Sequence, residues 1–418
     1  MAKLKKFFHL SDPEYTAKFQ RLCGVYLNYQ SDQPSEGSLE NENNSCTVRK
    51  RIGLQDCRKN NIIENQNHQN ESHDTVFRTP KSEADRIWKH LSMFQKSLFY
   101  ILTCASSLGN EAFYLLFYPY VAWNMDSVVV RHTNVVWTLC MYAGQAAKDY
   151  LIWPRPTSPP VVRLETDFLQ EYAMPSTHAM SATAIPFMLA YSIIHRYDIS
   201  PVFVISIAIC WCLLVCLSRL YLGVHSVLDL LCGVIASLII ILLTVPYMKE
   251  YDMFQQSHPI APLVVFGISL ALSTVCYPNA KDGSPYTAKA DAVQIVAVSA
   301  GVTLGTWINY QFGFTVDKGQ VFQAQIVIPT ITMMAESLLR FVIGIVILGA
   351  LYSVMKKSSV HFFSYVFNLE KPNKKHPSVE IGYKFVTYYV LGFAIIFLIP
   401  YIHFLLGLGR TAYFNEVQ

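Results

Sequence analysis

Long apolar stretches, broken by short polar clusters, run along this chain from about Phe94 onward. Each stretch predicts a helix, because about 20 apolar residues are enough to cross a bilayer. The predicted helices are 94–108, 111–124, 131–150, 179–195, 201–220, 227–247, 260–277, 292–311, 331–354 and 383–408. The first two are short and meet at Gly109-Asn110, so they form either two short helices or one long tilted helix. The pattern predicts an all-α, polytopic membrane helical bundle with about 8–10 transmembrane helices.

The first 92 residues have a different character from the rest of the chain. Segment 30–80 is rich in Asn, Gln, Ser, Glu and Lys, a composition that cannot bury enough apolar surface to fold alone. We therefore expect residues 1–92 to be a disordered polar tail, with a short amphipathic helix on the membrane surface within 12–29. Residues 93–250 then form one membrane region, and residues 251–418 add further membrane helices.

Composition supports a membrane protein and argues against nucleic-acid binding. The chain of 418 residues is 52% hydrophobic and 15% charged, whereas soluble domains are about 25% charged. The net charge of +4 is small and indicates topology signals rather than a nucleic-acid partner. Six of the ten cysteines lie in apolar segments, where cysteine packs as a small hydrophobic residue.

Two interruptions of the apolar pattern decide which polar clusters meet. Segment 151–178 contains five prolines, which predicts an irregular loop that must stay out of lipid. The turn at 196–200 is short, so the helices on either side are antiparallel neighbours. His178 and Ser218 then lie on one membrane face, and Lys148, which precedes the loop, lies on the same face.

The clusters on that face carry chemically active groups. His225 and Asp229 are four residues apart, so a helix starting near His225 would let the carboxylate orient the imidazole. Taken alone, a helix-capping histidine and a solvated aspartate explain this pair better. A helix start is predicted at Pro175-Ser176-Thr177-His178, with Ser176 or Thr177 as the N-cap. The free backbone N–H groups at such a helix start can bind phosphate.

Three fixed cations, Lys148, Arg155 and Arg219, complete the set. Phosphate monoester hydrolysis is among the slowest uncatalysed reactions, so several cations converging on one anion are a physical requirement. Charges at segment ends also arise from topology signals alone. That explanation does not account for two histidines on the same face.

The clusters resemble a known signature. Lys148-(x6)-Arg155-Pro156, Pro175-Ser176-Thr177-His178 and Ser218-Arg219-(x5)-His225-(x3)-Asp229 match the type 2 phosphatidic acid phosphatase (lipid phosphate phosphatase) superfamily, with Thr177 where many members have Gly. Surrounding segments, such as Trp153-Pro154-Arg155-Pro156 and Tyr221-Leu222-Gly223-Val224-His225, resemble the sphingosine-1-phosphate phosphatases. The similarity covers about residues 94–408.

The resemblance implies a six-helix catalytic core within 93–250 and a role for each residue. His225 would attack phosphorus to form a phosphohistidine, Asp229 would orient His225, and His178 would protonate the leaving alkoxide. The phosphate-binding residues would be Lys148, Arg155, Ser176, Thr177, Ser218 and Arg219. The resemblance also implies that the protein uses no cofactor and no metal. Asp149 is the only additional acidic residue that we find near the clusters.

The residues leave other functions open. The substrate could be a glycerolipid phosphate, a polyprenyl diphosphate or a sugar phosphate, and the chain could instead be a transporter or non-catalytic scaffold, or a phosphotransferase. The resemblance favours a lipid phosphate substrate in the bilayer, at the endoplasmic reticulum membrane, with the active site facing the lumen. Basic residues near the N-terminus favour a cytosolic N-terminus, which requires three crossings before Lys148. The helices of 260–408 could serve packing, homodimerisation or substrate entry.

Overall fold

A computed structural model describes residues 9–26, 91–165, 171–278, 287–314 and 329–409 of the chain. The helices in these ranges are α1 (Pro13–Leu22), α2 (Met93–Ser107), α3 (Glu111–Asn124), α4 (Ser127–Leu151), α5 (Thr177–Arg196), α6 (Pro201–Tyr221), α7 (Val227–Thr244), α8 (Met248–Ser257), α9 (Ala261–Thr274), α10 (Thr287–Gln311), α11 (Ile331–Val366), α12 (Pro377–Phe393) and α13 (Ile399–Leu405). A π-helical segment, Ala394–Leu398, joins the last two. The predicted all-helical membrane bundle is confirmed. The tail predicted at 30–80 lies outside the described residues.

Within the described ranges, six helical stretches are long and apolar enough to cross a membrane. They are Thr177–Arg196, Pro201–Tyr221, Val227–Ser257, Ala288–Gln311, Ile331–Val366 and Pro377–Leu405. The third joins α7 and α8 through a short 3₁₀ turn, Val245–Tyr247. The boundary that the sequence suggested at residue 250 therefore falls inside α8. Asp252 of α8 forms a buried ion pair of 3.1 Å with Arg131 of α4, which ties these helices together.

The bundle has two ends, and the functional candidates lie at one of them. We call this the polar end: α4 and α6 finish there, and α5 and α7 begin there. At the far end, the short turn between α5 and α6 is held by Arg196, which donates to Asp126, the N-cap of α4. The antiparallel α5–α6 pair predicted from the 196–200 turn is confirmed.

The N-terminal helices lie at the polar end and do not span the bundle. Leu91 and Leu102, near the two ends of α2, pack in one apolar cluster with Val25 and with Tyr221, the last residue of α6. In the described part of the chain before Lys148, only α3 and α4 run from one end of the bundle to the other. The described residues therefore contain no third crossing before Lys148, and α1 lies at the polar end of the bundle.

The lysine-rich segment between the predicted helices 331–354 and 383–408 is largely helical. α11 continues through Lys356 and Lys357 to Val366, because lysine is a good helix former and does not end a helix. The 36 residues of α11 span roughly 54 Å, well beyond the ~30 Å hydrocarbon core. Lys384 of α12 pairs with Asp291 of α10 at 3.4 Å, next to the polar end.

Candidate active site

The three sequence clusters meet at the polar end. Lys148 Nζ at the end of α4 donates to Thr177 Oγ1 at the start of α5 over 3.1 Å. The backbone N–H of Ser176 donates to the Asp229 carbonyl of α7 over 3.1 Å. Arg155 Nη1 donates to the Val224 carbonyl over 2.8 Å. Direct contacts thus connect the first cluster to the second, the second to the third, and the first to the third.

His225 and Asp229 face each other in the buried interior. His225 Nδ1 lies 3.7 Å from Asp229 Oδ2, and the two residues are 1% and 0% exposed. Ser226 is the N-cap of α7, and its backbone N–H donates to the same Asp229 oxygen over 2.7 Å. The capping box therefore fixes the carboxylate one turn below the imidazole. The 3.7 Å separation is longer than a hydrogen bond, and catalytic contacts of this kind commonly tighten when substrate binds.

The environment of His225 keeps its ring neutral. Burial lowers the pKa of His225 well below the usual value of 6.5, and Arg155, Arg219 and Lys148 lower it further. A neutral imidazole has a free nitrogen lone pair and can act as a nucleophile. Since Nδ1 faces Asp229, the free lone pair belongs to Nε2 when Nδ1 carries the hydrogen.

His178 is held by a residue that the sequence argument did not select. Its Nε2 lies 2.7 Å from Asn110 Oδ1, at the break between α2 and α3. A methyl group at Gly109 would lie 2.7 Å from His178 Cδ2, so a larger residue than glycine would displace the ring. The Gly-Asn break was visible in the sequence, but nothing in the sequence showed that it contacts His178. Ser176, as predicted for that tetrapeptide, is the N-cap of α5.

Two carboxylates pair with the predicted cations, and sequence reasoning missed both. Glu171 Oε2 lies 2.6 Å from Lys148 Nζ, and Glu165 Oε2 lies 2.7 Å from Arg219 Nη1. The expectation that Asp149 is the only additional acid near the clusters was therefore wrong. Both acids come from the proline-rich loop, whose path follows from its contacts rather than from any periodic pattern. Lys148 and Arg219 are 2% and 0% exposed, and such buried charges need partners.

The loop also positions Arg155, and burial sets its charge. The Nε atom of Arg155 donates to the Glu171 carbonyl over 2.9 Å, in addition to the hydrogen bond from Arg155 to the Val224 carbonyl. Burial is the main influence and lowers the pKa of Arg155 to about 10, so the guanidinium stays cationic at neutral pH. Burial alone would raise the pKa of Glu171, but Lys148, Arg155 and Arg219 bring it below its usual value. Both groups are therefore charged at neutral pH.

The remaining predicted phosphate ligand, Ser218, has a different partner. Its hydroxyl donates to the Val215 carbonyl within α6 over 2.6 Å, and the residue is fully buried. Ser106 of α2 instead supplies a hydroxyl to this region and accepts from Arg219 Nη1 over 2.6 Å. A phosphate role for Ser218 stays a prediction, and it would require the hydroxyl to turn away from Val215.

Helix α1 supports the two loops from the N-terminal side. The buried Gln20 side chain donates to the carbonyls of Val162 and Tyr221 over 2.6 and 2.9 Å, and it accepts from the Val162 N–H. Thr16 donates to the His225 carbonyl over 3.3 Å. The amphipathic helix expected on the membrane surface therefore buries polar side chains against the protein, next to the candidate nucleophile.

The arrangement places two histidines, each next to an oriented oxygen, beside three buried or half-buried cations. It can bind a dianionic phosphoryl group, attack it with one imidazole and exchange a proton with the other. In the described part of the chain, no group of three or more His, Cys, Asp and Glu side chains is placed to hold a metal ion.

Comparisons with known proteins identify related phosphatases. The PAP2 superfamily model matches residues 131–252. Sphingosine-1-phosphate phosphatase 2 of Homo sapiens is 34% identical over 96% of this chain and 98% of its own length. Sphingosine-1-phosphate phosphatase 1 of Mus musculus is 31% identical over 96% of this chain and 97% of its own length.

A more distant relative is dihydrosphingosine 1-phosphate phosphatase C823.11 of Schizosaccharomyces pombe, which is 26% identical over 54% of this chain and 56% of its own length. No solved structure matches the chain significantly. The identity extends along nearly the whole chain in the mammalian proteins, beyond the segment that carries the clusters. The chain therefore belongs to the sphingosine-1-phosphate phosphatase family of the PAP2 superfamily.

Proposed function

We propose that this membrane phosphatase hydrolyses sphingosine 1-phosphate and dihydrosphingosine 1-phosphate to the free sphingoid bases. The observation that carries the proposal is the pairing of His225 with Asp229 and of His178 with Asn110, beside Lys148. The names of the relatives support the choice of substrate.

In the first step, His225 Nε2 attacks phosphorus and the bond from phosphorus to the lipid oxygen breaks. Asp229 stabilises the positive charge that develops on the ring, through Nδ1. His178 gives a proton to the leaving alkoxide, so the free base leaves as an alcohol. Lys148, Arg155 and Arg219 bind the phosphoryl oxygens, which requires Glu171 and Glu165 to give up contacts that they now make with Lys148 and Arg219.

In the second step, water attacks the phosphohistidine. His178, now neutral, takes a proton from that water, and the bond from phosphorus to Nε2 breaks to release inorganic phosphate and regenerate His225. The route needs no metal, because the fixed cations supply the charge that a metal would supply. Phosphate release that is unaffected by a chelator would support this part of the proposal.

The test compares phosphate release from sphingosine 1-phosphate and phosphatidic acid in detergent micelles. We expect preference for sphingosine 1-phosphate and acid-labile labelling of the protein when the substrate phosphate is radioactive. Faster turnover of phosphatidic acid would replace the proposed substrate with another lipid phosphate. No turnover of either lipid would favour the transporter or scaffold function.

We also propose residence in the endoplasmic reticulum membrane with the active site in the lumen. Because α1 lies at the polar end, this proposal requires the N-terminal segment to be lumenal as well. The sequons Asn43-Asn44-Ser45 and Asn70-Glu71-Ser72 then become accessible to glycosylation. A glycosidase-sensitive mass shift, lost when Asn43 and Asn70 are both replaced by Gln, is expected. An unglycosylated chain and a cytosolic protease-protection pattern would place the site in the cytosol, the side that the lysines of α11 favour.

The homodimer stays a prediction. It is checked by the mass of the purified full-length protein in detergent. A mass equal to one chain plus bound detergent would contradict it.

A further inference from the structure

An apolar cavity lies where the catalytic helices meet the C-terminal helices. Its volume is about 410 Å³, and its lining comes from α3, α4, α10, α11 and the segment from α12 to the π turn. Aliphatic and aromatic side chains dominate the walls, among them Trp137, Ile295 and Leu348. Pockets of about 300–1,000 Å³ hold small organic ligands, so the space suits one hydrocarbon chain better than two.

The cavity adjoins the part of the site that holds His178. Trp137 lines it and donates through Nε1 to Ser181 Oγ over 3.1 Å, one helical turn from His178 on α5. Tyr114 also lines it, and its hydroxyl donates to the Leu108 carbonyl over 2.9 Å. Leu108 directly precedes Gly109, which packs against the His178 ring. Two wall residues are thus anchored to the segments that position this histidine.

The proposed reaction fixes the direction in which the lipid chain must leave the site. An in-line displacement puts the leaving oxygen opposite the attacking His225. His178 protonates that oxygen, so the carbon chain continues past His178. The cavity is connected to this side, because Tyr114 and Trp137 of its wall contact the segments that hold His178. The His225 side is occupied instead by α1, whose Thr16 reaches the His225 backbone.

The cavity also has an opening toward the membrane. Leu115 of α3 is 50% exposed beside it, and Gly349 of α11 lies on its wall with an exposed backbone. A methyl group built at Gly349 would meet no atom within 4 Å. A chain in the bilayer can therefore slide in between α3 and α11 without first leaving the lipid.

We propose that this cavity binds the single hydrocarbon chain of the sphingoid-base substrate while its phosphate occupies the polar end. The inference rests on the proposed function and adds a binding site that selects substrates by the length and number of their hydrocarbon chains. The chain passes from lipid or detergent into an equally apolar cavity, so its length should affect the reaction through its fit to the cavity rather than through transfer from water.

The test fills the cavity from a position where no neighbour is displaced. Gly349→Leu adds a bulky side chain at the mouth of the cavity, where a built methyl group meets no atom within 4 Å, and Gly267→Leu is the matched control. Gly267 is also an exposed glycine within an apolar helix, α9, with no atom within 4 Å of a built methyl group, but it does not line the cavity. Values of kcat/KM are measured for sphingoid-base phosphates of 8 to 18 carbons at a fixed detergent mole fraction.

For the wild-type protein and Gly267→Leu, kcat/KM should rise with chain length and then level off. In Gly349→Leu the plateau should come at a shorter chain, with a loss of about tenfold or more on the longest substrate and less than about twofold on the shortest. Gly349→Ala should fall between the two. Thermal unfolding of each purified variant in detergent checks that the bundle is intact.

Several results would overturn the inference. An equal loss at every chain length would place the effect of Gly349→Leu on folding or chemistry. An unchanged profile, together with loss of a co-purifying phospholipid detected by mass spectrometry, would make the cavity a site for a structural membrane lipid. Wild-type turnover of the shortest substrate separates the two proposals. If turnover is present and the profile is unchanged, only the cavity proposal fails; if no sphingoid-base phosphate is hydrolysed, the proposed function fails.

Discussion

The polar end and the apolar cavity are connected through the contact of Trp137 with Ser181, one helical turn from His178, yet their side chains differ in kind: charged and hydrogen-bonded at the polar end, apolar in the cavity. At the polar end, Lys148, Arg219 and Asp229 are almost fully buried, and each has a charged or hydrogen-bonding partner. In the cavity, the walls are hydrocarbon and the space between them is open. A lipid phosphate has the same two parts, so the comparison suggests that chemistry and chain recognition are carried by separate sets of residues.

The difference has an energetic basis. Burying a charge costs several kcal/mol unless it is paired, so the polar end requires Glu171 and Glu165 as partners for its cations. In the proposed mechanism, the substrate phosphate replaces these carboxylates as the partner of the cations. An apolar cavity needs no such partners, since hydrocarbon chains from the bilayer can fill it.

The largest expected effect comes from the nucleophile. His225→Ala should lower kcat by about 10⁴-fold or more for substrates of every chain length, because no other group forms the covalent intermediate. Phosphate release from short and long sphingoid-base phosphates measures this. His195→Ala, at the exposed end of α5, is the control. Substantial turnover by His225→Ala would refute the phosphohistidine mechanism.

Removing one buried cation should have a smaller effect that is also independent of chain length. Lys148→Met keeps the length of the side chain and should lower kcat/KM by about 10²–10³-fold, the range for one preorganised donor to a developing anion. The dependence of kcat/KM on chain length is compared between Lys148→Met and Gly349→Leu. If Lys148→Met changed the chain-length profile, the separation between the two regions would not hold.

The support from α1 should matter for rate. Gln20→Ala leaves the carbonyls of Val162 and Tyr221 without their side-chain donor, so the loops that carry Arg155 and His225 should shift. A misplacement of about 1 Å can cost 10²-fold, and we expect a decrease in kcat up to that size. Lys18→Ala on the exposed face of the same helix should behave as wild type. Equal effects of both variants would mean that α1 has no specific role.

Glu171 should act as a competitor of the substrate phosphate. Glu171→Gln removes the carboxylate from Lys148 and should lower KM by about tenfold, the order of a hydrogen bond to a charged group. It keeps the backbone carbonyl that Arg155 uses. Steady-state kinetics at constant ionic strength measure the change. A raised KM would show that Glu171 organises Lys148 for binding rather than competing for it.

The smallest effect concerns pH. Because burial and the nearby cations lower the pKa of His225 below 6.5, its ring should stay neutral in mildly acidic solution. The acid limb of kcat/KM should therefore lie below pH 6.5. Arg155→Gln removes one of these cations and should move the limb toward higher pH, apart from any loss in amplitude. An acid limb that does not move would indicate that another group controls it.

Much of this site followed from the sequence because its residues are tied to helix ends. The Ser176 cap, the His225-Asp229 spacing and the short turn before α6 are local features, and each has a local geometric consequence. The lysines of α11 show the limit of that reasoning. A charge ends an apolar run but not a helix, so the extent of α11 was underestimated.

The sequence by itself determined the helical membrane fold, the shared face of the clusters and the family. Only the tertiary structure decided that Glu171 and Glu165 pair with the cations, that Asn110 contacts His178, and that Gln20 bonds to the backbone of Val162 and Tyr221. The physical reason is sequence distance. Helix periodicity fixes contacts within about one turn, whereas Gln20 and Tyr221 are 201 residues apart, and Val162 and Glu171 lie in an irregular loop that has no periodic signal.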